Sequence, residues 1–195
     1  MISQFDQEKS AADYPLVTVA IPTYNNADKV VETIDSVLNQ SYPNIELILQ
    51  DDNSQDETVQ KLRTYVKQDS EIVLNINAYN LGAWKNFAAT LQIAHGNYVH
   101  WLCPGDFMLP NFIETCVKTM VNVPGTVAVM TGTKVIHEAT RKKIETLSFH
   151  EISKYQNHRR LELASSILRK TRPLETGRPH FGLFIHGLLQ TDVIR

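Results

Sequence analysis

The chain has 195 residues, 43% of them apolar and 21% charged, with nineteen Lys and Arg against twenty-one Asp and Glu for a net charge of −2. At roughly 150 residues per domain this is one domain with enough apolar side chain for a core, which excludes intrinsic disorder over most of its length. The balanced charge excludes bulk attraction to nucleic acid or anionic lipid, so any phosphate must be bound locally.

The run LVTVAI at 16–21, bounded by Pro15 and Pro22, predicts a central parallel strand covered on both faces. Val30, Val31, Ile34, Val37 and Leu38 recur at helical spacing up to Pro43, and IELILQ at 45–50 predicts a second strand. Ser54 and Glu57 have capping-box spacing ahead of Val59, Leu62, Tyr65 and Val66, which predicts a second helix. A third strand is expected at 72–76, a helix at 83–94 with Phe87 and Leu91 inward, and a fourth strand at 98–102. Beyond Pro110, the residues Phe112, Ile113, Cys116, Val117 and Met120 mark a helix ending near Pro124 and Gly125. The stretch 126–136 reads as one long β-prone segment, Arg141 to Lys143 as a turn, and 161–168 as a short helix. Strands alternating with helices imply an α/β fold: a mixed, mostly parallel sheet with helices on both faces.

No run of eighteen apolar residues exists, and 1–13 lacks the basic start and apolar centre of a signal peptide. A cytoplasmic protein is expected, with membrane contact at most peripheral. Cys103 and Cys116 are too few for a disulfide framework, and the histidines show no HxxxH or HExxH spacing, so reduced thiols and no zinc site are expected.

In an open α/β sheet, ligands sit beyond the carboxyl ends of the strands. Here those positions hold Pro22-Thr23-Tyr24-Asn25-Asn26, Asp51-Asp52-Asn53-Ser54, the stretch from Asn77 to Gly82, and Cys103-Pro104-Gly105-Asp106. Neither GxGxxG after the first strand nor GxxxxGK[ST] occurs, which removes the phosphate cradles of dinucleotide-binding folds and P-loop NTPases. What remains is an aromatic that can stack on a base, carboxylates that can accept its N–H groups, and a carboxylate able to hold Mg²⁺ or Mn²⁺ against a diphosphate. Asp51-Asp52-Asn53-Ser54 alone would suit an ordinary turn; its pairing with PTYN across one crevice points to a ligand.

The stretch VTVAIPTYNNADKVVETIDSVLNQSYPNIELILQDDNSQDET, continuing through Asn80-Leu81-Gly82, Lys85-Asn86 and HGNYVHWLCPGDFMLP, resembles glycosyltransferase family 2 over about 17–112. The resemblance implies a GT-A fold and inverting transfer from a nucleotide-diphosphate sugar, a UDP-sugar by preference with dTDP or GDP also fitting. The acceptor would be a saccharide or a lipid-linked glycan, as in surface polysaccharide or glycoconjugate synthesis. It further implies that Pro22, Thr23, Tyr24 and Asn25 line the base and ribose pocket. Asp51 would accept from the base, Asp52 would lie nearer the ribose or metal, Gly82 and Lys85 would stand near the diphosphate, and Asp106 would coordinate the metal. Residues 1–14 would be a polar extension, 15–112 the nucleotide-sugar half and 113–195 an incomplete acceptor-side half.

The chain departs from the family pattern in two places. Cys103 and Gly105 stand where acidic residues usually precede the last Asp of the metal motif, leaving one carboxylate there. The acidic residue that serves the family as general base is expected past Arg195, in a chain truncated before it, with His180, His186 and Asp192 as the substitutes available. The alternative function is a non-catalytic nucleotide-sugar binding or assembly module.

Overall fold

The β-branched run after Pro15 forms β1 (Val17–Thr23), and all seven of its residues are buried. It pairs in parallel with β2 (Ile45–Asp51) on one side and β4 (Tyr98–Trp101) on the other, and β3 (Val73–Ile76) extends the sheet beyond β2. This computed structural model describes residues 14–136, 140, 142–147 and 187–194. β5 (Ala128–Met130) and β8 (Gly187–Gln190) complete a six-stranded sheet of order β3-β2-β1-β4-β8-β5, in which β8 runs antiparallel to both neighbours. β6 (Thr133–Ile136) and β7 (Lys143–Leu147) form a separate antiparallel pair.

The helices are α1 (Val30–Leu38), α2 (Thr58–Gln68), α3 (Ala83–Ile93), α4 (Phe112–Asn122) and the single turn α5 (Thr191–Ile194). Side chains alternate across a strand, so Val17, Val19 and Ile21 of β1 and Leu47 and Leu49 of β2 share one face. They pack there with Val30, Ile34 and Val37 of α1, Leu62 of α2, and Ile113, Cys116 and Val117 of α4. Each such fully buried aliphatic side chain contributes about 1.5–3 kcal/mol. The other face carries Ala20 and Ile48, met by Ile93, Ala94 and Trp101.

Five expectations are corrected by this packing. Strand β1 passes through Pro22 because the alternation of its bonds, Ala20 accepting from Leu102 and Thr23 from Asp52, directs the missing Pro22 donor toward β4. The last β1–β4 pair, Ala20 with Trp101, lies two residues earlier. α3 buries Asn86 and Thr90, with Phe87 and Leu91 only half-buried. Asn86 binds the carbonyls of Thr23 and Gln50 beneath the helix, and Trp101 Nε1–H donates to Thr90 Oγ1 at 2.8 Å. No Ser54–Glu57 capping box forms: Ser54 is bound to Asp51, and Asp56 accepts from the Thr58 N–H (2.9 Å) and hydroxyl (2.5 Å). The 126–136 stretch breaks at Thr131 and Gly132 into strands of two different sheets, and Lys143 opens β7 rather than closing a turn. The short helix expected at 161–168 lies outside the described residues.

At the amino end of the parallel strands, Glu46 ties β2 to β1 and to the segment entering β4. Its Oε2 accepts from the Thr18 hydroxyl (2.5 Å) and the His95 N–H (2.8 Å), while Oε1 lies 2.6 Å from His95 Nδ1. Burial alone would raise this carboxyl, but hydrogen bonds from the His95 backbone, Thr18 and the His95 ring outweigh it and hold it below its ordinary value of 4.5. A depressed carboxyl stabilises the fold above that value, and the contribution disappears as pH falls through the folded-state value. Glu46→Gln is therefore expected to cost about 1–2 kcal/mol at pH 7 and nothing in acid. Denaturant titrations of the two proteins across pH check this, and a gap that does not change with pH would contradict it.

Candidate functional site

Beyond the carboxyl ends of β1 and β2 two loops are sewn into one unit. Thr23 is buried, and its hydroxyl donates to Asn26 Oδ1 (3.2 Å), which also accepts the Tyr24 N–H (3.1 Å). Asn25 adopts φ +52°, a left-handed conformation that asparagine tolerates better than most residues. Its N–H donates to Ser54 Oγ (2.9 Å) and its Oδ1 accepts from the Gln55 N–H (2.8 Å). The Asn26 N–H reaches Thr58 Oγ1 (2.8 Å) and the Ala27 N–H reaches Asp56 Oδ2 (3.2 Å). Pro22 is buried in the strand, whereas Tyr24 remains 42% exposed at the head of this unit.

Asp51 and Asp52 are adjacent and both buried. Buried carboxylates are tolerable only when their oxygens are met by donors. Asp51 accepts from the Ser54 hydroxyl (2.5 Å) and the Ser54 N–H (2.8 Å). Asp52 reaches across to the segment after β3: Oδ1 accepts from Asn77 Nδ2 (2.8 Å) and the Leu81 N–H (2.7 Å), and Oδ2 from the Gly82 N–H (2.9 Å). Gly82 has φ +84°, which turns that N–H toward Asp52 and starts α3 at the next residue. Lys85 is exposed in the first turn of α3. One residue on, Asn86 is buried, donating to the carbonyls of Gln50 (3.2 Å) and Thr23 (3.4 Å) and accepting from Asn77 Nδ2 (2.9 Å).

The third element is the turn after β4. The Asp106 N–H donates to the Cys103 carbonyl (2.9 Å), and Gly105 takes φ +96° between them. α1, with Gln40 just past its end, grips this turn and the segment following it. Thr33 contacts Gly105 and Asp106, Ser36 Oγ accepts from the Met108 N–H (3.2 Å), and Gln40 bonds both Leu109 O (2.8 Å) and the Ile113 N–H (3.1 Å). Asp106 itself is exposed. Burial, and then the nearby Asp106 carboxylate, push the Cys103 thiol up to about 12, so in the metal-free chain it is protonated at neutral pH. Among the described residues no three His, Cys, Asp or Glu side chains converge on a possible metal position. One exposed carboxylate fits Mg²⁺ or Mn²⁺ only where a diphosphate supplies further oxygens, since these ions bind through one or two protein carboxylates and keep several waters.

The structure thus collects Pro22, Thr23, Tyr24, Asn25, Asp51, Asp52, Gly82, Lys85 and Asp106 at one end of the parallel strands. It does not bring Asp192 there. Antiparallel β8 ends with Gln190 opposite Tyr98, at the start of β4, and the Thr191 hydroxyl donates to Gly96 O at 2.7 Å. Asp192 follows at the opposite end of the sheet. His180 and His186 lie outside the described residues. Sequence reasoning missed Asn77, Asn86 and Thr33 as positioning groups. The signals available were the polar pair Asn86 and Thr90 at i and i+4 in α3, and the polar stripe Thr33, Ser36 and Gln40 beside the apolar stripe of α1.

Asp52→Ala would leave the Leu81 N–H without its acceptor and reduce the Gly82 N–H and the Asn77 amide to Asn80 Oδ1 and Asn86 Oδ1 respectively. It is expected to cost about 2 kcal/mol or more and to speed hydrogen exchange of the Leu81 and Gly82 amides. Unchanged stability and exchange would show that other contacts hold this loop.

Comparison with known proteins agrees with this architecture. The chain is 34% identical over 108 residues to the Escherichia coli protein WfaP, named as a UDP-Glc:alpha-D-GlcNAc-diphosphoundecaprenol beta-1,3-glucosyltransferase, covering 54% of this chain and 41% of that one. It is 35% identical over 103 residues to an uncharacterized glycosyltransferase of Haemophilus influenzae, covering 53% and 32%. It therefore spans less than half the length of these relatives. Its fold is that of Staphylococcus aureus TarS residues 1–349, crystallised with UDP (TM-score 0.60, 18% identity, 90% of this chain and 47% of that). It is likewise that of the Pyrobaculum calidifontis mannosyltransferase PcManGT, crystallised with GDP-Man and Mn²⁺ (TM-score 0.55, 24% identity, 68% and 39%). These neighbours identify the six-stranded mixed sheet with its flanking helices as a GT-A fold. The family model for glycosyl transferase family 2 matches residues 18–178, and the chain belongs to that family.

Proposed function

We propose that this chain carries the donor site of an inverting glycosyltransferase that takes a sugar from a nucleoside diphosphate, with UDP the preferred nucleotide. The observation that carries this reading is the joining of three polar loops, after β1, β2 and β4, across one end of the sheet. With β1 between β2 and β4, strand spacing sets the exits of β2 and β4 about 10 Å apart, a span suited to a nucleotide reaching from base to diphosphate. The UDP in the TarS crystal and the GDP-Man and Mn²⁺ in the PcManGT crystal support such a ligand for this fold.

In this reading Tyr24 offers its exposed ring to the base and Asp51 accepts a base N–H, with Pro22, Thr23 and Asn25 forming the pocket wall. Asp52 acts by holding Gly82, which sets the start of α3 and the place of Lys85 near the diphosphate. Asp106 would hold Mg²⁺ or Mn²⁺, which supplies charge neutralisation for the departing diphosphate. The acceptor hydroxyl forms its bond to the anomeric carbon as the sugar–phosphate bond breaks, so configuration inverts in one displacement. Its proton goes to a general base, with His180 and His186 the candidates in this chain. Residues 15–112 form the donor half in this proposal, and the chain from 113 faces the acceptor.

The diphosphoundecaprenol-linked substrate in WfaP's name supports a saccharide or lipid-linked acceptor and a role in surface polysaccharide or glycoconjugate synthesis; a cytoplasmic location completes the proposal. Among the described residues no helix is long and apolar enough to cross a membrane, which is compatible with peripheral contact.

Calorimetric titration of UDP with and without Mn²⁺ tests the site. Asp51→Ala is expected to weaken UDP binding about tenfold under both conditions, whereas Asp106→Ala should remove only the enhancement due to Mn²⁺. Absence of binding to UDP, dTDP and GDP alike would overturn the reading.

A further inference from the structure

Thr33 lies at the fourth position of α1, remote in sequence from Asp106, and is completely buried. Its hydroxyl accepts the Gly105 N–H (3.0 Å) and donates to the Asp106 carbonyl (2.9 Å), with the Lys29 carbonyl a longer alternative at 3.3 Å. One hydroxyl therefore holds the two outer backbone groups of the Gly105–Asp106 pair, while the Asp106 N–H is held by the Cys103 carbonyl. On its other side the pair is confined by the Lys29 stem, since a Cβ on Gly105 would lie 3.3 Å from Lys29 Cδ. The left-handed φ of Gly105 turns the chain within this confinement.

We infer that Thr33 is a positioning residue for Asp106: by fixing the peptide on either side of the turn, it fixes where the one carboxylate of the metal motif is presented. The inference rests on the proposed role of Asp106. It follows from the thinness of the motif. Where several carboxylates share a cation, a loose one is covered by its neighbours, but Cys103 and Gly105 offer no such cover. The backbone that carries the single remaining carboxylate bears on its orientation, and Thr33 holds that backbone. Removal of a group that orients a metal ligand commonly lowers metal affinity 10- to 100-fold.

The clamp also joins two parts of the site. Thr33 sits one turn into the helix that begins after the Tyr24–Lys29 loop, so the base-side loop and the Asp106 turn are anchored to the same helix. Ser36 and Gln40, at i+3 and i+7 from Thr33, continue the contact to Met108, Leu109 and Ile113. They hold the segment after the turn, whereas Thr33 reaches the Gly105–Asp106 pair itself.

The test is UDP titration with and without Mn²⁺ on the wild-type chain, Thr33→Val, Thr33→Ser and Asp106→Ala, with a thermal melt of each. Thr33→Val keeps the β-branch and loses the hydroxyl. It is expected to bind UDP without metal within about twofold of wild type and to lose on the order of tenfold of the Mn²⁺ enhancement. Thr33→Ser, which keeps the hydroxyl, should restore the enhancement. Should Thr33→Val fail to fold, Thr33→Ala provides the same comparison with less crowding. If Asp106→Ala loses the enhancement while the folded Thr33 variant keeps it, this inference is overturned and the donor-site reading stands. If the wild type shows no enhancement, or Asp106→Ala keeps it, the metal role of Asp106 falls and the inference with it. Equal weakening of UDP binding by Thr33→Val with and without metal would reduce Thr33 to general support of the fold and also overturn it.

Discussion

Two adjacent carboxylates, Asp51 and Asp52, are buried at the end of β2, and the upper end of the molecule is organised around supplying donors to them. Charge removed from water must be met by hydrogen bonds or it destabilises the fold. Asp51 takes its donors from Ser54, three residues on, and so shapes the loop toward α2. Asp52 takes its donors from Asn77, Leu81 and Gly82, and so draws in the segment from β3 to α3. The chemistry that would serve a nucleotide and the chemistry that sets the loops are thus adjacent residues of one strand.

The two halves of the site hang from different supports. On the β2 side, Asn86 closes a buried network by donating to carbonyls of β1 and β2, which gives α3 a polar seat and carries Lys85 to the rim. On the β4 side, Thr33 and Ser36 of α1, with Gln40 just past its end, hold a segment that has little secondary structure of its own. β1, buried on both faces, lies between the two and passes its register to each neighbour. A ligand touching both sides would therefore contact loops whose positions are set by one strand and the helix that follows it.

Much of the fold was legible because both-face burial demands continuous apolar, β-branched runs, and those runs stand out at 16–21, 45–50 and 98–102. The site was legible in part for a topological reason, since residues directly after parallel strands must share one edge of the sheet. Hydrogen-bond partners were not legible. Ser54 could cap a helix or bind Asp51, and the choice depends on where Asp56 and Thr58 come to lie. Asp192 shows the same limit at larger scale, because its end of the sheet depends on the direction of β8, and nothing local in GLLQ encodes direction. Asn86 faced inward against the expectation of Phe87 and Leu91 because its amide binds the carbonyls of Thr23 and Gln50, a property of distant residues.

Hydrogen exchange measured by mass spectrometry, on the chain alone and with UDP and Mn²⁺, tests the central claim that the three loops form one donor site. The account predicts added protection together in peptides spanning 22–27, 51–58, 77–86 and 103–109, with the Glu46–His95 end unchanged. Protection confined to one of these segments, or centred on β6 and β7, would contradict it.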